Sequence, residues 1–376
     1  MRWAWAEVDL SAVAHNIDAI RRAVAPADVW AVVKADGYGH GAVDVSGAAL
    51  AAGATGLCVA LTQEGLALRA AGISAPILVL SEQPLDEHGA MVEHDLTPTV
   101  YSAAAVESFD AVCTRLDRTL GVHLKIDTGM HRVGAQPQDA VALATAIVTS
   151  RRLHMAGVFT HLAASDEPEA DSNEIQLRRF ADVVGALTAA GHRPPLLHVA
   201  NSAAALALPQ SRADAVRVGI AMYGIEPGPD VHDLCAELRP ALSLHARVSL
   251  VKTVAAGEGV SYGLRHTFAA DTVVATIPIG YADGVPRRLF GTGAEVLVHG
   301  RRLPIVGVVT MDQLMVDCGD LPVVAGDEVV LIGAQAGSAG SDAIRAEEWA
   351  ARVGTIGYEI VCGISKRIER RLRYDP

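Results

Sequence analysis

Residues 31–41 read AVVKADGYGHG. With Val29 and Trp30 before them, Ala31, Val32 and Val33 form an apolar, β-rich run that reads as a buried strand ending at a single lysine, Lys34. Gly37, Gly39 and Gly41 then predict a turn, and a helical pattern follows over 42–52. A lysine at the end of a buried strand meets little water. Burial disfavours the ammonium and lowers its pKa, which turns the side chain into a nucleophile able to form a Schiff base. A surface lysine in a βα turn is the plain alternative, but a tyrosine and a histidine among three glycines favour a built site.

Outward from this strand the pattern repeats. Apolar runs occur at 29–34, 56–61, 76–80, 97–101, 122–126, 155–161, 196–200 and 215–219, with helical patterns between most of them, as at 62–71, 102–117, 137–149 and 172–190. Runs apolar on both faces are what parallel, doubly covered strands require. Eight such units over about 220 residues predict an α/β fold, a (β/α)8 TIM-like barrel, over an open doubly wound sheet. Upstream, Asp9 or Ser11 is positioned to cap a helix running to Val24. After Gly224 the connector EPGPDVHDL changes the character of the chain. Short strands are expected at 242–254, 272–278, 295–299, 303–309, 313–318 and 327–332, with one helix at 342–353 and a Gly/Ser-rich loop at 333–341. The division is therefore placed between a barrel domain, 1–231, whose first ten residues could pack with the second domain, and a mostly β domain, 232–376.

Composition bounds the partners. The 376 residues carry a formal charge of −12, which argues against nucleic acid or an anionic membrane as the main partner, though not against a small anion held by local arginines. No apolar run is long enough to span a bilayer, and nothing at the N-terminus resembles a signal peptide. Five cysteines without a CxxC pair, and no histidine cluster at ligand spacing, predict no metal and a cytoplasmic location.

Barrel enzymes carry their chemistry where strands end. Strand one delivers Lys34 and, one turn on, Tyr38. Strand five holds Lys125 and leads to Arg132; strand six ends in His161, strand seven in Asn201 and Ser202. Strand eight carries Arg217, then Gly219 and Ile220. The loops after strands seven and eight are the usual phosphate site of such barrels, and a hydroxyl with two backbone amides beside a glycine suits a phosphate dianion. Each residue also has a plain reading: His161 as a core histidine, Arg217 in a buried ion pair, Ser202 as a helix N-cap. Lys125 in mid-strand needs an anion or an unusual state.

The opening stretch, together with DTGMHRVG, HVANSAA, VRVGIAMYG, VSYG, IPIGYADG, MDQ and IGYEIVC in that order, resembles the alanine racemases, which use pyridoxal 5′-phosphate (PLP). The resemblance implies that Lys34 carries PLP, and that Lys34 and Tyr262 are the two bases that interconvert L- and D-alanine through an external aldimine. Tyr262 would come from the partner subunit of a homodimer with composite sites. Arg132, Met311, Tyr281 and Asp312 would face the substrate. Tyr38, His161, Asn201, Ser202, Arg217, Gly219, Ile220 and Tyr358 would hold the cofactor, and Lys125 would correspond to a lysine carbamylated in some members. The implied role is supply of D-alanine for peptidoglycan. Thr310 stands where several relatives have cysteine, Gly363 follows Cys362 where a bulkier residue is common, and the KRIERR ending departs from the family, which puts a last strand in doubt. A serine or broad-specificity racemase, a non-enzymatic PLP carrier and a barrel-plus-β-domain decarboxylase are the rivals; the second domain with Tyr262 counts against the carrier.

Overall fold

The computed structural model describes residues 3–374. The chain forms two units, one running from Val13 to Arg239, the other combining the residues up to Ala12 with those from Pro240 onward. The dividing point thus lies at 239/240 rather than at 231/232, after the 3-10 turn Pro229–Cys235.

Strand β1 (Ala4–Asp9) opens the chain. Asp9 then caps the helix Leu10–Val24, accepting the Ala12 N–H at 2.9 Å, so the cap is Asp9 and not Ser11. Next come β2 (Asp28–Val32), β3 (Gly56–Val59), β4 (Ile77–Val79), β5 (Thr97–Val100), β6 (Leu120–Lys125), β7 (Leu153–Phe159), β8 (Leu197–His198) and β9 (Ala215–Val218). They pair in parallel, in chain order, and close when β9 pairs with β2. The eight expected runs supply these eight strands, each ending one or two residues earlier than the apolar run. The expected helices between them are present as Thr62–Ala70, Ala103–Arg115, Ala140–Thr149 and Asp171–Ala189. Asn16, fully buried, donates to the Met222 and Arg239 carbonyls and accepts the Arg239 N–H, which ties the first helix to the end of the barrel.

The second unit holds β10 (Leu242–Arg247), β11 (Leu250–Val254), β12 (Gly259–Val260), β13 (His266–Thr267), β14 (Thr272–Ile277), β15 (Glu295–Val298), β16 (Arg301–Val306), β17 (Leu314–Gly319), β18 (Glu328–Gly337), β19 (Gly340–Ile344) and β20 (Glu369–Arg373). Ten of the strands make one sheet, ordered β11-β14-β17-β16-β15-β18-β10-β1-β20, with β19 on β18.

Four expectations change here. The run 242–254 is two strands, because β10 pairs with β1 and β18 whereas β11 pairs with β14. The Gly/Ser-rich 333–341 segment is a hairpin, not a loop. Its glycines serve close approach, since a Cβ on Gly337 would lie 2.5 Å from the His299 carbonyl carbon. The helix spans Ala346–Val353, with β19 taking the residues before it, and a further helix, Gly357–Cys362, follows. The KRIERR ending does supply a strand, β20, which runs parallel to β1.

Candidate active site

Strand β2 stops at Val32, so Lys34 opens a turn instead of closing a strand, and it is only half-buried. Ala35, Asp36, Gly37 and Tyr38 all take left-handed conformations, with φ of 53°, 54°, 62° and 53°. Three of these residues carry a Cβ, which disfavours that region by about 1–2 kcal/mol each. Hydrogen bonds hold the turn: Gly37 N–H to Val33 O (2.9 Å), Gly39 N–H to Ala35 O (3.0 Å) and Ala42 N–H to Asp36 Oδ1 (3.0 Å). Glu64 adds a clamp. One carboxylate oxygen accepts Ala35 N–H at 2.6 Å, the other Ala60 and Leu61 N–H at 2.8 and 3.1 Å, joining the loops after β2 and β3.

Tyr38 points its hydroxyl at the loop after β9, where a Cβ on Gly219 would lie 2.5 Å from it. In that loop the Gly219 N–H donates to Ser202 Oγ at 2.9 Å and Ala221 N–H approaches the same oxygen at 3.4 Å. Ser202 is not the N-cap of its helix (Ser202–Ala207). Asn201 is, accepting Ala204 N–H at 3.0 Å and the Ser165 hydroxyl at 2.8 Å, which leaves the serine hydroxyl facing the β9 loop. A tyrosine hydroxyl, a serine hydroxyl and a glycine amide, packed where no side chain fits, are suited to a phosphate.

The barrel centre carries cations. Arg217 is buried, and its guanidinium meets only neutral acceptors: the carbonyls of Thr160, His198 and Val199 at 2.8, 3.0 and 2.9 Å, His198 Nδ1 at 2.8 Å and His161 Nδ1 at 3.2 Å. Burial lowers it to about 10, so it stays charged at neutral pH. Among the described residues no carboxylate pairs with it, so the plain reading of a buried ion pair does not hold. Burial, then Arg217, hold both His161 and His198 well below the usual imidazole value. Lys125, 5% exposed, donates to the Leu80 carbonyl at 3.1 Å. Burial first, then Arg217, Arg132 and Lys34, push it down to about 7.

The loop after β6 bends around Asp127, whose Oδ1 accepts the Gly129 and His131 N–H groups, both at 3.0 Å. It brings Arg132 to a small pocket shared with Lys125, Asp127, Thr160 and His161. Lys34, Tyr38, Lys125, Arg132, His161, Asn201, Ser202, Arg217, Gly219 and Ile220 thus all belong to the barrel's loop end.

The remaining expected residues lie on the second unit. Tyr262 sits in the turn Tyr262–Leu264 between β12 and β13, 73% exposed, with left-handed Ser261 before it and Leu264 after it. Ser261 Oγ anchors the turn to the Val308 carbonyl at 2.6 Å, over a cluster of Val260, Phe268, Val274, Val306 and Met315. The turn Tyr281–Asp283 is zipped to the Thr310–Met311 turn by Tyr281 N–H to Thr310 O and Ala282 N–H to Met311 O, both 3.0 Å. Arg367 binds Asp312 at 2.7 Å. Tyr358 lies on the helix Gly357–Cys362.

Glu64, His198 and His123, which hydrogen-bonds His198 at 2.8 Å, were not anticipated. One signal was available for the last: His123 and Lys125 are two apart on one strand and share its inward face.

Among the described residues no helix is long and apolar enough to cross a membrane. The family described as alanine racemase, N-terminal domain, matches residues 8–227, and alanine racemase, C-terminal domain, matches residues 241–372. An alanine racemase of Symbiobacterium thermophilum is 47% identical over 98% of this chain and 97% of its own, and one of Desulfovibrio desulfuricans is 43% identical over 98% of each. Among solved structures, alanine racemase from D-cycloserine-producing Streptomyces lavendulae superposes with a TM-score of 0.94 at 38% identity, covering 100% of this chain and 98% of that one. The Bacillus anthracis alanine racemase with bound L-Ala-P gives 0.92 at 39% identity, covering 99% and 95%. With both of its units matched over nearly their full length, the chain belongs to the alanine racemase family of isomerases.

Proposed function

We propose that this chain interconverts L- and D-alanine with PLP held on Lys34, as a homodimer in which Tyr262 of each protomer serves the site of the other. The observation that carries the reading is a barrel mouth built of Lys34, Lys125, Arg132 and Arg217 beside a phosphate-shaped cradle, with no carboxylate among the described residues on Arg217. Such a site suits a phosphorylated cofactor and a carboxylate substrate. When bound, PLP acidifies the α-hydrogen of the amino acid attached to it.

The residues of the chain do the rest. Tyr38, Ser202 and the Gly219 and Ile220 amides bind the phosphate. Arg132, with the Met311 amide, orients the substrate carboxylate, while Tyr281 and Asp312 line its approach. Lys34 Nζ takes or returns the proton on one face and Tyr262 Oη does so on the other, with roles exchanged for the two enantiomers. A phenol near its free pKa of about 10 is a weak base at neutral pH, so a donor must favour the phenolate; neutral His161, whose Nδ1 accepts from Arg217 and whose Nε2 therefore carries the proton, is assigned that task. Arg217, which keeps its proton, would face the cofactor's ring nitrogen and leave it unprotonated. Lys125, lowered to about 7 by burial, can attack CO2 as its neutral amine, with loss of a proton, giving the anionic carbamate that would brace Arg132. The product would serve peptidoglycan synthesis.

The test is absorbance of the purified protein with conversion of L-alanine by wild type and Tyr262→Phe. A yellow protein whose conversion collapses in the variant while the colour stays supports the reading. A yellow protein that leaves alanine unchanged but turns over serine moves the substrate; a colourless one that resists added PLP overturns Lys34 as the anchor.

A further inference from the structure

Barrel interiors are ordinarily filled by branched aliphatic side chains. Here the inward positions of β6, β8 and β9 instead carry His123, His198 and Arg217 in a file: His123 Nδ1 to His198 Nε2 at 2.8 Å, and His198 Nδ1 to Arg217 at 2.8 Å. Aromatic walls enclose it. Phe159 stacks on His198 with centroids 4.5 Å apart, and Trp30 covers the same ring at 6.1 Å. Space for His123 is left by Gly157, where a Cβ would lie 2.7 Å from His123 Cε1.

The polarity of the file follows from its end. A guanidinium can only donate, so His198 Nδ1 must offer a lone pair. Both rings are neutral, because burial holds His198 well below the ordinary imidazole value and His123 down to about 3. The His198 proton is therefore on Nε2, where His123 Nδ1 is its acceptor. With that acceptor removed, the Nε2–H would be a buried donor without a partner, at a cost that favours the other tautomer, whose Nδ1–H would face the guanidinium.

We propose that His123 is a positioning residue, fixing His198 as the Nε2–H tautomer so that Arg217 meets lone pairs only. The catalytic consequence rests on the role assigned to Arg217 above; the tautomer itself does not. Full-length protein labelled with 15N-histidine, with and without PLP, reports ring tautomers in long-range 1H–15N spectra, with signals assigned by His123→Asn and His198→Gln. The expected result is one neutral Nε2–H state for His198 from about pH 6 to 9 in the wild type. In His123→Leu the His198 signals should average between tautomers and kcat should fall about tenfold with KM little changed, as for other outer residues that orient a functional imidazole. His123→Asn, whose carbonyl can still accept, should restore both and keeps the test open if the leucine variant folds poorly. A His198 ring that stays on Nε2–H in folded His123→Leu, or a wild-type kcat in that variant, overturns the proposal. If the wild type does not racemise alanine, the assignment of the site fails, and the spectra alone still decide the tautomer.

Discussion

Lys125 and Arg217 are two cations that the barrel buries among neutral acceptors, and each has a measurable consequence. Lys125 is held near 7 in the folded chain against about 10.4 in an unfolded one. Between those values the unfolded chain binds a proton that the folded one does not, so stability rises with pH across this window and is lost as pH falls toward 7. In CO2-free buffer, denaturant titrations should show the wild type gaining about 1.4 kcal/mol per pH unit relative to Lys125→Met. Carbamylated protein should lose that slope. Gly219→Ala should displace the Tyr38 hydroxyl and weaken PLP binding to the apoprotein by tenfold or more, read as fluorescence quenching. Lys34 was legible because it is a polar residue at the end of an apolar run, Lys125 because it interrupts one, and Arg132 because it lies in the loop that such a run leads into. His198 and His123 were not, since a histidine inside a run looks like a core residue until its partner from another strand is known.

Among the elements, the turn after β2 departs most from its sequence. Nothing in KADGY announces left-handed Ala35 and Asp36, whose conformation is imposed by the ring of hydrogen bonds around them. Glu64, on the helix after β3, supplies one of those bonds to Ala35 N–H, and its other oxygen accepts the Ala60 and Leu61 N–H groups that hold it in place. Glu64→Ala should therefore lower stability by about 1–3 kcal/mol, measured by thermal or denaturant unfolding, and slow capture of PLP by Lys34. Replacement by glutamine, which keeps one acceptor oxygen, should lose less. The barrel strands were legible because strands buried on both faces are continuous apolar runs, as in GLCV and ILV. The β18–β19 hairpin was not, because the end of β18 from Gly333 on and most of β19 are exposed or half-buried and lack an apolar run, and Gly337 serves a close backbone approach.

At the scale of the molecule, the two proposed bases lie on different units, and the exposed Tyr262 and Leu264 turn is the part assigned to a second copy. Mixing Lys34→Ala with Tyr262→Phe under conditions that exchange subunits should recover about a quarter of wild-type activity, since half of the dimers then hold one intact site of two. Recovery of none would argue for bases supplied within one chain. The division into two units was foreshadowed by the change of pattern after Gly224, but β1 was assigned only loosely, because a short apolar strand does not say which sheet it joins. That strand sits between β10 and β20, and so needs neighbours from far along the chain. A ribosome delivers Ala246, the partner of Ala4, about 240 residues later, a delay of roughly 12–50 s at ordinary translation rates. The nascent chain therefore holds AWAEV, with its tryptophan, unpaired while the whole barrel is being made, and the first strand translated is among the last to find its place.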